Sequence, residues 1–531
     1  MHTSSSERGA SGFLGAIEPL IRQGRNRFRD EAEALRRRYP EVPFDVPTLE
    51  RTLTTSLEEQ LVAMLERTMV LELQVARLQG LLSGKTPEER FDNFLCRLRQ
   101  PEVAAALLEE YPVLASLVTQ GIDRWAAFCL EFLQHLCEDW QAIRSLFQPE
   151  TEPGPVVAVE FAGDRHRGGR SVLIVCFRSG WQLVYKPKPL AVEVHFQQLL
   201  AWLNERGAHP AFQTTPVLDR GAHGWAAFVA AHGCTSEAEI QRFYQRQGAY
   251  LALLYGLMAT DCHLENVIAA GEQPVPVDLE ALFHRGPADA AGQLHADSVR
   301  GVRLLPQRYL IADTGEVVDF SALGATAGQL SPYETPCWDG TGTDEMRVIS
   351  RRMELPGARN RPTLLGQEIN LLDYQEELIR GFKAMYQMLR THREELLGAG
   401  GPLDAFAQDE VRFIARTTQT YGLLLRQSYH PDLLRDAPAR GRFLKQLDQR
   451  VAQSPWLARL RDAEDIALLR QDIPLFTTRP ASRDLWTSSG ERIAAFFEQT
   501  GLELARQRLR QLGPADLEQQ LAIIRESFAN K

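Results

Sequence analysis

From Phe13 to Phe147 apolar residues recur every three or four positions, as in Leu61, Met64, Leu65, Val70, Leu71, Val75 and Leu78. That spacing predicts a stack of helices. Thr86-Pro87-Glu88-Glu89 supplies a start signal within it: a capping threonine, a proline at the first helical position and a glutamate at the third, ahead of Phe91, Phe94 and Leu98. The pattern changes after Gln148-Pro149-Glu150-Thr151-Glu152-Pro153-Gly154-Pro155, a proline-rich boundary. Val156 to Phe161, Ser171 to Phe177 and Trp181 to Tyr185 are then short β-branched and aromatic runs, which predict three strands of a small antiparallel sheet. Helical spacing returns over Ala191 to Glu205 and from Thr235 to about Met258. Two short strands, Val267-Ile268-Ala269 and Val275-Pro276-Val277, follow around a turn. From Gly366 onward the pattern is helical again, over Leu371 to Leu397, Leu403 to Tyr429, Gly441 to Ala452, Arg483 to Arg510 and Pro514 to Ala529. The expectation is an α+β chain with a helical region at 1–150, a small lobe at 151–258 and a large lobe with added helices at 259–531.

Composition narrows the class. The 531 residues are 44% apolar and 24% charged, material for a large core and, by length, roughly two to four domains. With 59 basic and 69 acidic residues the net charge is −10, which argues against nucleic acid or an anionic membrane as a principal partner. The seven cysteines (Cys96, Cys129, Cys137, Cys176, Cys234, Cys262, Cys337) are scattered and form no C-x-x-C pair. They fit reduced thiols in a cytoplasmic protein better than a disulfide framework or a zinc cluster. Met1 to Gly12 is Ser-rich, without the basic and apolar regions of a signal peptide, and no run of about eighteen apolar residues follows, so stable membrane insertion is not expected.

The chemistry concentrates in Thr260-Asp261-Cys262-His263-Leu264-Glu265-Asn266, followed by Val277-Asp278-Leu279-Glu280. ATP-dependent phosphoryl transfer needs one carboxylate to orient an attacking hydroxyl, and an amide oxygen with a second carboxylate to hold Mg2+ on the phosphates. Asp261, Asn266 and Asp278 come in that order, with His263 inside the loop. A polar loop of chance spacing is the plainer alternative, since Asp, His and Asn are all common in turns. Upstream, Gly163-Asp164-Arg165-His166-Arg167-Gly168-Gly169 reads either as an ordinary hairpin turn or as a phosphate cradle whose amides are reinforced by Arg165, Arg167 and Arg170. Lys186 ends the third predicted strand, where kinases place the lysine that neutralises nucleotide phosphates. Asp-x-His-x-x-Asn with a following Asp resembles the lipid-kinase arrangement more than the protein-kinase one, because Asp278 is followed by Leu279-Glu280 and not by Phe-Gly. A kinase-like bilobal core, lipid-kinase-like and embedded in extra helical regions, is the fold this resemblance implies.

A wider resemblance covers nearly the whole chain. Arg67-Thr68-Met69-Val70-Leu71-Glu72-Leu73, Thr86 to Phe91, Gly163-Asp164-x-His166, Leu183-Val184-Tyr185-Lys186-Pro187, the Asp261 and Asp278 blocks, Leu304-Leu305-Pro306, Asn360-Arg361-Pro362, Gly381-Phe382, Arg412 to Tyr421 and Asp472-Ile473-Pro474 resemble the N-terminal dehydratase domain of class II (LanM-type) lanthipeptide synthetases. In that family a kinase-like core phosphorylates Ser and Thr of a ribosomal precursor peptide, then eliminates the phosphate. The resemblance implies that Asp261 is the catalytic carboxylate, that Lys186 contacts ATP phosphates, that Asn266 and Asp278 hold Mg2+ and that His263 supports the loop. Arg412 and Thr418 match the positions that serve elimination, and Asp164 and His166 belong to the same active-site set. Read without the resemblance, Arg412 is one charge on a helix and belongs to a solvated surface.

One departure concerns ring closure. Full-length synthetases continue into a zinc-binding cyclase domain, whereas this sequence has no Cys after Cys337 and no His after His430, so the expectation is that any cyclisation falls to a separate cyclase. Leu264 stands where the family often has an aromatic, and Val299 to Arg303 is irregular ahead of Leu304. Two other functions compete with the dehydratase: a kinase acting on a peptide or small molecule without elimination, and a catalytically degenerate partner that binds a precursor's leader.

Overall fold

The computed structural model describes residues 11–284, 297–310, 317–355, 357, 359–447 and 455–529. The Ser-rich start and the second half of the helix expected over Gly441 to Ala452 lie outside them. The chain is mixed helix and sheet and divides into two compact units, each assembled from separated stretches. The first comprises Met1–Pro187, Glu334–Arg351 and Arg416–Pro474; the second comprises Lys188–Tyr333, Arg352–Ala415 and Leu475–Lys531. Among the described residues no helix is long and apolar enough to cross a membrane.

The first unit begins as the periodicity predicts, with helices Glu18–Arg38, Val46–Leu78, Pro87–Leu98, Pro101–Glu110 and Pro112–Phe147. Thr86 caps the third of these: its hydroxyl accepts from Glu89 N while the Glu89 carboxylate accepts from Thr86 N. Such a cap is worth about 1 kcal/mol. On the long second helix Leu49, Leu53, Leu57 and Leu61 form a fully buried stripe. Beside it Glu50, nearly buried, is neutralised by Arg25 and Arg29, each at 2.7 Å. Three antiparallel strands, Val156–His166, Arg170–Phe177 and Gln182–Lys186, lie against the helix Pro112–Phe147. Strict alternation along Arg170–Phe177 turns one face inward, and Phe132 meets Tyr185 (5.3 Å between rings) while Trp140 meets Phe177 (5.7 Å).

The second unit is built on two helices, Glu237–Gly256 and Gln375–Thr391, that pass each other at glycines. A Cβ on Gly248 would lie 1.9 Å from Leu378 O, and one on Gly381 would lie 1.7 Å from Gln245 O, so only glycine permits this approach. The helices Gly501–Gln511 and Pro514–Ala529 complete the core, with Tyr386 and Tyr255 both donating to Asp516 (2.6 and 2.9 Å). The hairpin Val267–Ala270 with Gln273–Pro276 forms where alternation predicts it.

Two expected helices are not found. Leu403 to Tyr429 resolves into a 3-10 turn (Asp404–Gln408), a strand (Val411–Phe413) and a helix (Thr418–Gln427). Arg483 to Arg510 holds two short strands, Leu485–Trp486 and Arg492–Ile493, before the helix Gly501–Gln511. The strands Val411–Phe413, Phe476–Thr478, Leu485–Trp486 and Arg492–Ile493 make one four-stranded sheet. Val411 and Phe413 point inward around Arg412, and over three residues that alternation cannot be told from a helical repeat.

Candidate phosphoryl-transfer site

In the second unit, the helix Glu237–Gly256 delivers the chain to a loop whose backbone is fixed at many points. Thr260 N donates to Ala281 O (3.1 Å), Cys262 N to Val302 O (3.1 Å) and Leu264 N to Phe320 O (3.1 Å), and the Thr260 hydroxyl donates to Gly301 O (2.9 Å). Asp261 sits between these anchors in the left-handed region, at φ +64°. A non-glycine residue there costs on the order of 1–3 kcal/mol and persists only where its surroundings hold it. Here they do: the Asp261 carbonyl accepts from His263 N (2.9 Å) and from Asn266 Nδ2 (2.8 Å). His263 Nδ1 in turn accepts from Glu265 N (3.2 Å), so His263 and Asn266 both serve to shape the turn that presents Asp261. The neighbouring Cys262 thiol is buried, and burial, with Asp261 and Asp278 adding to it, pushes its pKa up to about 12.

Beyond the hairpin, Asp278 belongs to a chain of ion pairs that sequence reading did not foresee. Lys188 Nζ lies 3.1 Å from Asp278 Oδ1 and 2.5 Å from Glu280 Oε2, and the other Glu280 oxygen accepts from Arg412 Nη1 at 2.7 Å. Burial works against the Lys188 ammonium, but Asp278, Glu280 and Glu193 outweigh it and hold its pKa above the usual lysine range. Burial likewise opposes the Glu280 carboxylate, yet Lys188 and Arg412 together keep it ionised well below the usual carboxylate range. Arg412 is also raised: burial is offset by Glu280, with Asp278 and Asp261 contributing.

The reading of Arg412 without the resemblance, as a solvated helix residue, is therefore corrected. It lies on a strand, 13% exposed, with its own N–H donating to Glu280 O (2.6 Å). On the same strand Phe413 stacks on His284, which accepts from Ile414 N (3.2 Å).

Four other sequence-derived residues, Asp164, His166, Lys186 and Thr418, belong to the first unit. Asp164 is exposed, in a stretch where strand pairing is interrupted between Ala162 and His166. Such bulges re-aim side chains. His166 Nδ1 donates to Ile473 O (3.0 Å), which places a proton on that nitrogen. Lys186 is buried at the end of its strand, and Thr418 opens a helix capped by Thr417.

The phosphate-cradle reading of the glycine turn meets a different arrangement. Arg167, Gly168 and Gly169 all have positive φ, and the amides of both glycines donate to the carboxylate of Asp472. Arg170 pairs with Glu131 and Arg165 donates to Ser56. The turn's anion-binding capacity is thus directed at the chain's own carboxylate.

Among the described residues no three His, Cys, Asp or Glu side chains group as a metal cage. Asn266 donates through Nδ2 to a carbonyl, so Oδ1 is the atom it can offer a cation, and Asp278 is the matching carboxylate. This pair fits a hard divalent ion that arrives with a nucleotide.

Comparison with known proteins places this site in context. The lacticin 481/lactococcin biosynthesis protein LcnDR2 of Lactococcus lactis subsp. lactis is 23% identical over 520 residues, which are 92% of this chain and 54% of that relative. The chain spans about half the length of that curated relative. Residues 111–479, a stretch that includes Asp164, Lys186, Asp261, Asp278, Arg412 and Thr418, match a family whose members carry a domain described only as of unknown function. Because that match takes in well over half of the sequence, the chain belongs to the DUF4135 family.

Proposed function

We propose that the chain dehydrates Ser and Thr residues of a ribosomally made precursor peptide in lanthipeptide biosynthesis, using ATP and Mg2+ to phosphorylate a hydroxyl and then eliminating the phosphate. The reading draws on the printed role of the Lactococcus relative in lacticin 481 and lactococcin biosynthesis. The observation that carries it is the ion-pair chain Asp278, Lys188, Glu280, Arg412, which ties the expected metal carboxylate to the expected elimination cation within one compact unit.

In the first half-reaction Asp261 orients the peptide hydroxyl, held by its strained backbone and the Asn266 clamp. Asn266 and Asp278 hold magnesium, which when bound neutralises phosphate charge and orients the transferring group. Lys186 contacts the nucleotide phosphates by resemblance. In the second half-reaction the α-proton leaves to a base, the Cβ–O bond breaks and phosphate departs with the electron pair, leaving a Cα=Cβ double bond. A guanidinium fixed in a water-poor setting stabilises that departing charge more than water would, the role assigned to Arg412. Thr418, Asp164 and His166 are assigned to the same chemistry by resemblance.

One observation favours a second reading. Arg412 is engaged by Glu280, and a guanidinium that stayed so engaged would suit a kinase that stops at the phosphoester. Mass spectrometry of a precursor peptide incubated with ATP separates the two. The dehydratase gives loss of one water per modified residue; stable gain of phosphate alone favours the kinase. Under the first reading a folded Arg412→Ala variant accumulates phosphopeptide, and unchanged dehydration by that variant removes Arg412 from elimination.

A further inference from the structure

An ammonium now sits on the carboxylate that a divalent cation is expected to use. Lys188 Nζ is 3.1 Å from Asp278 Oδ1, and two cations cannot share that oxygen at contact distance without strong repulsion. Lys188 nonetheless has a second anchor 2.5 Å away in Glu280, itself fixed by Arg412. Lysine suits an exchange of partners, being a compact charge with three donors on a flexible stem. Asp278, Glu280 and Glu193 act on Lys188, and Glu280, Asp278 and Asp261 on Arg412, so carboxylates outnumber cations and the cluster carries excess negative charge. A bare metal ion would have to displace Lys188 from Asp278 and leave the ammonium on Glu280 with one carboxylate contact fewer. A metal that brings phosphates supplies a new contact in place of the one Lys188 gives up at Asp278.

We propose that Lys188 is the resident counter-cation of the Asp278 site, passing from Asp278 to the phosphates of a magnesium nucleotide while Glu280 keeps hold of it. The inference rests on the reading of Asp278 given under the proposed function. It makes Lys188 a selectivity element that disfavours free divalent ions and favours the metal–nucleotide complex. It also separates the two lysines flanking Pro187: Lys188 meets the metal carboxylate, whatever Lys186 does.

Two binding measurements on the full chain test it without any turnover. Mn2+ alone, followed by electron paramagnetic resonance, reports the bare-metal site, and Mg2+ with a non-hydrolysable imido analogue of ATP, followed by calorimetry, reports the nucleotide site. Lys188→Met is expected to bind Mn2+ alone ~10-fold more tightly than wild type and the magnesium nucleotide ~10-fold more weakly. Lys188→Arg, which keeps the charge, restores the wild-type order. A misfolded variant loses both ligands and cannot give opposite shifts. Wild-type-like affinity for both probes, or weakening of both, by a Lys188→Met variant shown to be folded overturns the inference while leaving the site's function standing. A wild-type chain that binds no magnesium nucleotide overturns the reading of Asp278 itself.

Discussion

The glycine turn of the first unit and the Asp261 loop of the second start from similar ingredients and end differently. Each has residues held at positive φ, and each gathers carboxylates and cations. In the turn the glycine amides and two arginines find partners within the unit, while Asp164 stays exposed: Asp472 takes the two glycine amides, Glu131 takes Arg170, and Ser56 takes Arg165. In the loop, hydrogen bonds are spent on the Asp261 backbone, and Asp278 and Glu280, with Asp261 and Glu193 nearby, are left to share Lys188 and Arg412. A closed set of partners makes structure. A shared set with a charge imbalance leaves room for a ligand, and that imbalance, more than glycine or arginine content, distinguishes the candidate site.

The severest test of this contrast is Asp261→Asn. Asparagine tolerates the left-handed backbone, so the loop keeps its shape while losing the carboxylate. Peptide phosphorylation, followed by transfer of labelled phosphate, is expected to slow by ~10²–10⁴-fold. An unchanged rate would show that the imbalance at Asp261 has no chemical use. Glu280→Gln comes next, because it leaves Lys188 and Arg412 without their common counter-charge in a largely buried place. Chemical denaturation is expected to show a loss of about 3 kcal/mol. The pH dependence carries a sign as well. Lys188 and Arg412 hold Glu280 below its ordinary 4.5, so its contribution is present above that pH and is lost as acidification passes through the lower folded value. The Gln variant has no such group, and its denaturation midpoint should therefore fall less steeply than wild type below pH 4.5. Equal slopes would mean that Glu280 is not shared as the geometry indicates.

Much of the fold was legible because its signals are local. The capping box at Thr86, the alternation along Arg170–Phe177 and the hairpin after Val267 each need only a few neighbouring residues. What stayed hidden depends on distant partners. The strand carrying Arg412 is three residues long and takes its identity from pairing with Phe476–Thr478, so periodicity alone assigned it to a helix. Glu280 stood inside the motif that carries Asp278, and Lys188 lies two residues beyond Lys186. That Lys188 meets Asp278 is decided by packing across 90 positions, and that Glu280 meets Arg412 by packing across 132. Asp472 had a visible signal of another kind, the Asp-Ile-Pro run near the end of the helical segment, but nothing local links it to a turn some three hundred residues earlier.

Asp472 provides the smallest effect and the sharpest comparison. It is 7% exposed, its two oxygens receive Gly168 N and Gly169 N, and the adjacent Ile473 carbonyl receives His166. Replacing it by alanine leaves two amides of a glycine turn short of acceptors, at a cost of about 2 kcal/mol in chemical denaturation. If the turn is structural, that loss comes with an affinity for the magnesium–ATP analogue within ~2-fold of wild type, because nothing the nucleotide touches has changed. If the turn instead cradles phosphate, its competing carboxylate has been removed and the same variant should bind the analogue more tightly. Calorimetry on Asp472→Ala therefore decides between a turn closed by its own chain and a turn waiting for an oxyanion, and unaltered affinity with reduced stability is the outcome expected from the partners Asp472 now holds.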